Sequence, residues 1–412
     1  MRVEIISIGD ELLLGQTVNT NASWIGEKLL NIGIQVEWIT TVGDTYQNLR
    51  QALQIAEKRA DSIIVTGGLG PTHDDITKPV VVDYFSSNLV MNQEILTTIR
   101  ERFAKRGYDM AKVNEDQARV PDNAKLVENK LGTAPGMIFQ KSNKTFYILP
   151  GVPREMKGMM NRVVIPDLQS RKGRETIKIK TLMTTGVPES ILFEKLDNLS
   201  DIEKQARVAF LPSLMGVKIR LTARGGDEKI AENRLERAEK LVRQKINREI
   251  YADKVVSLEE TIAQLLSSRD ETVAVAESCT GGLISNQLTN IPGSSTFFER
   301  GIVAYSNEAK MTLLGVDPQL LNRHGAVSEP VARAMAVGVR NLAKTTYGIS
   351  VTGIAGPGGG TAEKPVGLVY VGFADVEKTL CEKHTFANDR IGNKMRSLQA
   401  ALNLLRKQIE QQ

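Results

Sequence analysis

An apolar run that ends in a small, polar turn is the feature that most constrains how this chain folds. Residues 273–276 (Val-Ala-Val-Ala) are typical of a buried strand, and residues 277–282 (Glu-Ser-Cys-Thr-Gly-Gly) follow at once. We expect a strand that ends at Ala276 and a helix that opens near Thr280, as in an α/β fold. Backbone N–H groups at such a helix start could bind an anion or oxyanion. The same residues could equally serve as an ordinary cap in which the glycines allow close packing.

The length and composition indicate several globular domains. At 412 residues the chain exceeds the size at which one hydrophobic core stops growing. Its 41% hydrophobic and 25% charged residues are ordinary for a globular protein. We predict domains over residues 1–168, 175–252 and 256–412, with residues 169–174 as a polar linker. No segment has a leader pattern or the length of a membrane span, so we expect a cytoplasmic protein that does not contact a membrane.

Cysteine content and charge exclude some classes of function. The two cysteines, Cys279 and Cys381, cannot build a disulfide scaffold, and no paired-cysteine zinc pattern is present. A net charge of +5 suits ligands that carry phosphate, but Lys and Arg are not concentrated in a stripe. We therefore expect small anionic substrates rather than nucleic acid.

Residues 1–168 alternate between β-rich runs and segments with helical spacing. The predicted strands are residues 5–8, 36–42 and 62–66, and the predicted helices are residues 21–32 and 47–60. This order is typical of a parallel sheet with helices on both faces, which binds ligands at the carboxyl ends of its strands. Polar or glycine-rich turns follow all three strands, at residues 9–11, 43–44 and 67–75.

The turn after the third strand could hold a phosphate or diphosphate. Gly67, Gly68 and Gly70 permit close backbone approach, although their spacing matches neither a P-loop nor the dinucleotide fingerprint. Carboxylates beside such a turn could bind a hard cation, and each could also be a simple helix cap. We interpret His73 as a hydrogen-bonded loop residue. The hydroxyl and carboxylate residues that could complete the site are Thr66, Thr72, Glu11, Asp44, Asp74 and Asp75.

The last domain combines residue types that suit hydrolysis of a phosphorylated amide or ester. Ser278 could act as nucleophile, Lys310 as base, and Arg390 as a phosphate anchor. Cys279 is a rival nucleophile, and Tyr305, Lys310 and Arg390 could each be ordinary packing or surface residues. The predicted strands here are residues 301–305, 349–352 and 368–373, and the predicted helices are residues 258–266, 307–314, 330–344 and 392–409.

The middle segment has no cluster of catalytic residue types. Strands are predicted at residues 176–184, 207–211 and 217–223, with helices at residues 188–196 and 228–250. Gly225 and Gly226, at a strand-to-helix join, do not supply the Gly-x-x-Gly loop of an RNA-binding KH module. We expect a small α+β spacer, or a dimerisation domain that pairs residues 217–223 across subunits.

Three segments resemble the competence/damage-inducible protein A (CinA) family. They are residues 7–15 (Ser-Ile-Gly-Asp-Glu-Leu-Leu-Leu-Gly), 66–78 (Thr-Gly-Gly-Leu-Gly-Pro-Thr-His-Asp-Asp-Ile-Thr-Lys) and 149–153 (Leu-Pro-Gly-Val-Pro). The resemblance implies an α/β multidomain protein: an N-terminal molybdopterin-binding-like parallel α/β domain, a small KH-like α+β domain and a C-terminal α/β deamidase domain. It also implies a homodimer.

For the N-terminal domain the resemblance implies a metal-dependent ADP-ribose pyrophosphatase that releases AMP and ribose 5-phosphate. Asp44, Asp74 and Asp75 would hold a divalent ion (Mg, Mn or Co), and Asp44 and Asp75 would be catalytic. Asp74 stands where molybdopterin relatives carry Arg, which argues against molybdopterin adenylylation. The residues expected to bind this substrate are Gly67, Gly68, Gly70, Thr72 and Lys78.

For the C-terminal domain the resemblance implies a nicotinamide-nucleotide amidohydrolase, which converts nicotinamide mononucleotide to nicotinate mononucleotide and ammonia without a cofactor. Ser278 would attack the carboxamide, Lys310 would accept its proton and Tyr305 would assist. The residues expected to bind this substrate are Thr280, Gly281, Thr352, Gly353 and Arg390. The alternative is a non-catalytic partner or regulator in DNA uptake or repair.

Overall fold

The computed structural model of the chain describes residues 1–72, 74–105, 107–171 and 176–411. His73 and residues 172–174 of the predicted linker lie outside the described residues. The chain divides into two compact units, one formed by Met1–Ile179 with Arg224–Glu232 and the other by Lys180–Ala223 with Asn233–Gln412.

The N-terminal domain contains a six-stranded mixed sheet. Its order is β2-β1-β3-β8-β7-β6, in which β2, β1, β3 and β8 are parallel while β7 and β6 are antiparallel additions. The sheet is therefore not wholly parallel, because the hairpin β7–β8 brings the chain straight back. The strands are β1 Val3–Ile8, β2 Val36–Val42, β3 Ser62–Thr66, β4 Leu89–Met91, β5 Arg119–Pro121, β6 Lys125–Val127, β7 Gly136–Lys141 and β8 Lys144–Leu149. The α-helices are α1 Asp10–Leu13, α2 Thr20–Asn31, α3 Tyr46–Arg59, α4 Thr77–Tyr84, α5 Gln93–Lys105, α6 Lys112–Glu115, α7 Pro153–Met159 and α8 Ile165–Arg171.

Both faces of this sheet are buried, as predicted. Ile6 and Ile8 of β1 pack into one hydrophobic cluster, whereas Val3 and Ile5 pack into a second one on the opposite face. The register places Ile8 beside Val42, so the turns after β1 and β2 lie at one edge. The turn after β3 joins them there, and this edge carries the candidate site.

The middle region forms a four-stranded sheet of order β10-β11-β9-β12. Its elements are β9 Thr176–Thr184, α9 Glu189–Leu196, α10 Ser200–Glu203, β10 Arg207–Ser213, β11 Gly216–Gly225, α11 Glu228–Ile246 and β12 Ile250–Ala252. The prediction of a helix to residue 250 is wrong, since α11 ends at Ile246 and Ile250 opens a strand. The prediction that residues 217–223 pair across subunits is also wrong, because β11 is an interior strand with both edges occupied.

The C-terminal domain is built on a five-stranded mixed sheet of order β14-β13-β15-β16-β17. β13 lies between two parallel neighbours, and β16 and β17 are antiparallel. The strands are β13 Val273–Glu277, β14 Phe298–Val303, β15 Tyr347–Gly353, β16 Leu368–Ala374 and β17 Thr379–Thr385. The helices are α12 Leu258–Ser268, α13 Leu283–Thr289, α14 Asn307–Leu314, α15 Pro318–His324, α16 Glu329–Ala343 and α17 Arg390–Glu410.

The side chains of β13 explain why the strand is so apolar. Val273 and Val275 belong to one hydrophobic cluster, and Ala274 and Ala276 belong to another on the opposite face. The strand is thus covered on both sides, as the continuous apolar run predicts.

The turn after β13 differs from the prediction. β13 continues through Glu277, and α13 begins at Leu283 rather than near Thr280. Gly281 and Gly282 have φ of 64° and 91°, values that favour glycine. A five-residue turn therefore separates strand and helix.

Helix α17 closes the C-terminal domain. Arg406, whose side chain is 1% exposed, donates to the carbonyls of Ile250 and Arg248 and to the carboxylate of Glu410. Within the described residues, no helix combines the length and apolar character needed to cross a membrane.

Candidate active sites

A serine and a lysine meet at the carboxyl end of β13. Nζ of Lys310 lies 3.1 Å from Oγ of Ser278, and it donates to the carbonyl oxygens of Ala304 at 2.9 Å and Tyr305 at 3.1 Å. A neutral amine has two N–H donors and one lone pair. Two carbonyl oxygens accept two N–H donors of Lys310, and the hydroxyl of Ser278 can accept a third from an ammonium or donate to the lone pair of a neutral amine.

Burial favours this neutral state of the lysine. The Lys310 residue is only 1% exposed, and burial lowers the pKa of its amine from the ordinary value. Because α14 begins at Asn307, with the hydroxyl of Ser306 accepting from Ala309 N, the first turn of this helix carries Lys310 inward. The structure thus places the hydroxyl of Ser278 beside a buried amine, with no histidine in this contact.

Cys279 differs from Ser278 in its surroundings rather than in its exposure, since Ser278 is also only 8% exposed. Cys279 is 7% exposed and packs in the hydrophobic core of the domain. Burial raises the pKa of its thiol to about 12, so the reactive thiolate is scarce at neutral pH. The geometry therefore favours Ser278 over Cys279 as the nucleophile.

Glu277 controls the start of α13 and was missed by the sequence analysis. Its buried carboxylate accepts from the N–H groups of Gly282 at 3.0 Å, Ile284 at 3.1 Å and Ser285 at 2.8 Å, and from the Ser285 hydroxyl at 2.7 Å. The expectation that this helix start binds a substrate anion is wrong, because the carboxylate of Glu277 already accepts hydrogen bonds from its N–H groups. A carboxylate followed within a few residues by a predicted helix start is the signal that could have revealed it.

The hydrogen-bond donors of Gly281 and Thr280 in this turn differ in whether they have a partner. The N–H of Gly281 donates to the carbonyl of Ser278, so it is engaged within the turn. Thr280 is fully buried, and among the described residues neither its N–H nor its Oγ1 has a hydrogen-bond partner. The hydroxyl of Thr280 is therefore a buried donor without a partner in the turn that carries Ser278.

The other residues predicted for this site have mixed placements. The Tyr305 residue is 63% exposed, and its carbonyl rather than its hydroxyl contacts Lys310. The Thr352 hydroxyl donates to the carbonyl of Ala326. In the described part of the chain, no hydrogen bond joins either hydroxyl to Ser278 or Lys310.

Gly353 and Arg390 each lie close to a backbone carbonyl oxygen. A Cβ on Gly353 would lie 2.7 Å from the carbonyl oxygen of Leu368, so β15 can end here only with glycine. Arg390 opens α17, and its Nη1 donates to the carbonyl of Gly356 at 2.5 Å. The rest of this exposed guanidinium stays available to an anion.

In the N-terminal domain, the glycine turn after β3 is held from α4. Gly67 and Gly68 have φ of 116° and 62°, and a Cβ on Gly68 would lie 2.4 Å from Oγ1 of Thr77. Thr77, which the sequence analysis missed, donates from its hydroxyl to the carbonyl of Gly67 and from its N–H to that of Gly68. A threonine at a helix start is the signal that could have revealed it.

Asp75 is directed into its own loop. Its carboxylate accepts from Gly70 N at 2.7 Å, Thr72 N at 2.9 Å and Thr72 Oγ1 at 2.5 Å. These bonds fix the conformation of residues 70–75. The structure therefore gives Asp75 and Thr72 a role in shaping the turn, and does not bring Asp75 together with Asp44.

Asp44 lies in an acidic environment at the neighbouring strand end. Its Oδ2 accepts from Asp10 N at 2.8 Å, and Asp10 Oδ1 accepts from Asp44 N. Burial, and then the charges of Asp10, Glu11 and Asp74, raise the pKa of Asp44. Among the described residues, no group of three or more His, Cys, Asp or Glu is arranged to hold a metal ion.

The side chain of Lys78 is engaged by a backbone carbonyl. Its Nζ donates to the carbonyl of Asp116 at 2.7 Å, and burial lowers its pKa to about 8. In this arrangement Lys78 supports the segment that precedes β5.

Comparison with known proteins places this architecture in a family. Family models described as "Probable molybdopterin binding domain", "Damage-inducible protein CinA KH domain" and "CinA C-terminal domain" match residues 4–170, 179–252 and 255–409. Three domains of these classes are therefore present, as the resemblance implied.

Full-length relatives identify the family itself. A "CinA-like protein" from Chloroherpeton thalassium is 43% identical over 415 residues, covering 98% of this chain and 99% of the relative. Another from Salinibacter ruber is 41% identical over 409 residues, with 99% of each covered. A competence/damage inducible protein structure from Agrobacterium tumefaciens is 39% identical, covers 37% of this chain and 93% of its own, and has a TM-score of 0.36. The chain belongs to the CinA family.

Proposed function

We propose that the C-terminal domain hydrolyses the carboxamide of nicotinamide mononucleotide to nicotinate mononucleotide and ammonia. The observation that carries this proposal is the buried contact between Lys310 Nζ and Ser278 Oγ at 3.1 Å. A hydroxyl nucleophile with an adjacent uncharged amine suits acyl transfer, and the substrate is the one that the family resemblance implies.

The chemistry follows from the hydrogen bonds. Oγ of Ser278 attacks the carboxamide carbon while its proton passes to the lone pair of Lys310. The carbonyl oxygen becomes an oxyanion, and we assign the unpartnered hydroxyl of Thr280 as its donor from the turn.

The second half of the reaction returns the enzyme to its starting state. Lys310 gives its proton to the amide nitrogen, the C–N bond breaks and ammonia leaves an ester on Ser278. Water then loses a proton to Lys310 and attacks that ester, and the proton returns to Oγ as the carboxylate product departs.

The first prediction separates the two candidate nucleophiles. Ser278→Ala should lower kcat for deamidation by at least about 10³-fold, whereas Cys279→Ala should retain activity within about threefold. Release of ammonia from nicotinamide mononucleotide measures both. Loss of activity in Cys279→Ala with retention in Ser278→Ala would falsify the assignment, and an inactive wild type would favour the non-catalytic alternative.

The second prediction concerns pH. Because Lys310 must be neutral to accept a proton, kcat/KM should fall as pH falls through its pKa and rise to a plateau above it. Burial lowers this pKa, so the half-maximal point should lie below 10.5, the ordinary lysine value. A kcat/KM that stays flat or decreases as the pH rises toward 10.5 would contradict the role of Lys310.

We also propose that the N-terminal domain hydrolyses ADP-ribose to AMP and ribose 5-phosphate. The supporting observation is the glycine turn at residues 67–70, at the same sheet edge as Asp44, whose pKa is raised by burial and then by its acidic neighbours. Backbone groups of Gly67 and Gly68 can approach a diphosphate closely. The homodimer is likewise a proposal, and it requires a contact other than pairing through β11.

The residues present fit a hydrated hard cation better than a closed metal cage. Asp44 lies near the charges of Asp10, Glu11 and Asp74, but no three such side chains among the described residues are arranged to hold an ion by themselves. Substrate phosphates and water would complete the coordination, as is common for Mg²⁺. Such an ion supplies charge neutralisation and an acidified water, while Gly67 and Gly68 hold the diphosphate.

The third prediction tests this site independently of the first. Asp44→Asn should reduce metal-dependent ADP-ribose hydrolysis by at least about 100-fold, because it removes the charge that attracts the cation. Deamidation by the same preparation serves as the folding control and should stay unchanged. Full ADP-ribose hydrolysis in Asp44→Asn, or in the wild type after chelation, would refute the proposal.

A further inference from the structure

A second cation lies beside the nucleophile turn. Lys394 is on α17, and its Nζ is 3.7 Å from the position that a Cβ on Gly281 would occupy. Its charge also lowers the pKa of the Cys279 thiol against the stronger effect of burial. Both observations put this ammonium at the turn that carries Ser278, although sequence analysis did not single it out.

Lys394 has no counter-charge of its own. In the described part of the chain, its ammonium makes no hydrogen bond or ion pair. Three other basic residues of the domain are engaged: Arg390 donates to Gly356 O, Lys364 donates to His324 O, and Lys407 pairs with Glu382. Lys394 is half-buried, and a partly desolvated cation without a partner is unfavourable unless an anion arrives.

The helix places two cations on one face. Arg390 and Lys394 are four residues apart, so their side chains project from the same side of α17. Arg390 keeps one N–H on the Gly356 carbonyl, whereas all three N–H donors of Lys394 are uncommitted within the described chain. An ammonium binds phosphate as a point charge and does not require the planar geometry of guanidinium.

We propose that Lys394 is a specificity-determining residue that binds the phosphate of the substrate together with Arg390. This inference rests on the proposed deamidase function and concerns the same site. It predicts that the site distinguishes a phosphorylated nicotinamide nucleotide from the corresponding nucleoside largely through Lys394.

The test compares two substrates that differ only in the phosphate. Lys394→Gln keeps most of the side-chain length and removes the charge. It should raise KM for nicotinamide mononucleotide about tenfold, with kcat within about twofold. For nicotinamide riboside, which lacks the phosphate, kcat/KM should stay within about twofold of the wild type. Lys407→Gln, on the same helix but paired with Glu382, is the matched control and should leave both substrates unaffected.

Two outcomes would overturn the inference. Unchanged KM for the nucleotide in Lys394→Gln would remove Lys394 from phosphate binding. An equal loss of kcat with both substrates would instead assign it to the reacting carbonyl. Binding of nicotinamide mononucleotide to Ser278→Ala and to Ser278→Ala/Lys394→Gln, measured by calorimetry, should differ about tenfold. An inactive wild type refutes the proposed function, whereas an active wild type with an unaffected Lys394 variant refutes this inference alone.

Discussion

The buried amine of Lys310 is the constraint on which the C-terminal domain depends. A lysine that is 1% exposed is unfavourable when charged, so the fold must either pair it with a carboxylate or keep it neutral. The structure supplies no carboxylate contact for this amine among the described residues. It supplies two carbonyl acceptors and the hydroxyl of Ser278, and burial lowers the pKa of the amine. Burial disfavours the charged form of Lys310, and the same effect makes the neutral amine available to accept a proton.

The surrounding backbone holds this contact in place. Ser278 N donates to Val351 O on β15, and Ala304 N donates to the carbonyl of Glu277. The carbonyl of Ala304 in turn accepts a hydrogen bond from Lys310 Nζ. The backbone around β13 therefore sets the distance between Ser278 Oγ and Lys310 Nζ. The Glu277 side chain fixes the far end of the turn by capping α13 with a buried negative charge. The N–H groups at the start of α13 are therefore bonded to Glu277, whereas the hydroxyl of Thr280 has no partner in the described part of the chain.

Local pattern and family resemblance predicted much of this arrangement, and the remainder depends on tertiary contacts. The apolar runs in β1 and β13 predicted buried strands, and each strand packs into a hydrophobic cluster on both faces. The antiparallel return of β7 was not predicted, because its apolar residues have the same pattern in either direction. The helix limit at residue 250 was missed because the charged periodicity of α11 runs into β12 without a break.

In the candidate sites, too, residue types could be predicted from the sequence, whereas their contacts depend on the fold. Ser278 and Lys310 could be named from residue type and resemblance, but the contact across 32 residues of sequence is a product of the fold. Asp75 is a carboxylate in a predicted metal-binding turn, yet its oxygens accept hydrogen bonds from Gly70 and Thr72. Sequence cannot show which donors will bond to a carboxylate oxygen. Lys394 has no motif, and only the packing of α17 puts it beside Gly281.

The most direct test of the central claim is to find the residue that carries the acyl intermediate. The protein would be mixed with nicotinamide mononucleotide, quenched in acid within milliseconds and digested for mass spectrometry. The Ser278–Lys310 mechanism predicts an adduct with the mass of the substrate minus ammonia, on Ser278. An adduct on Cys279 would contradict it.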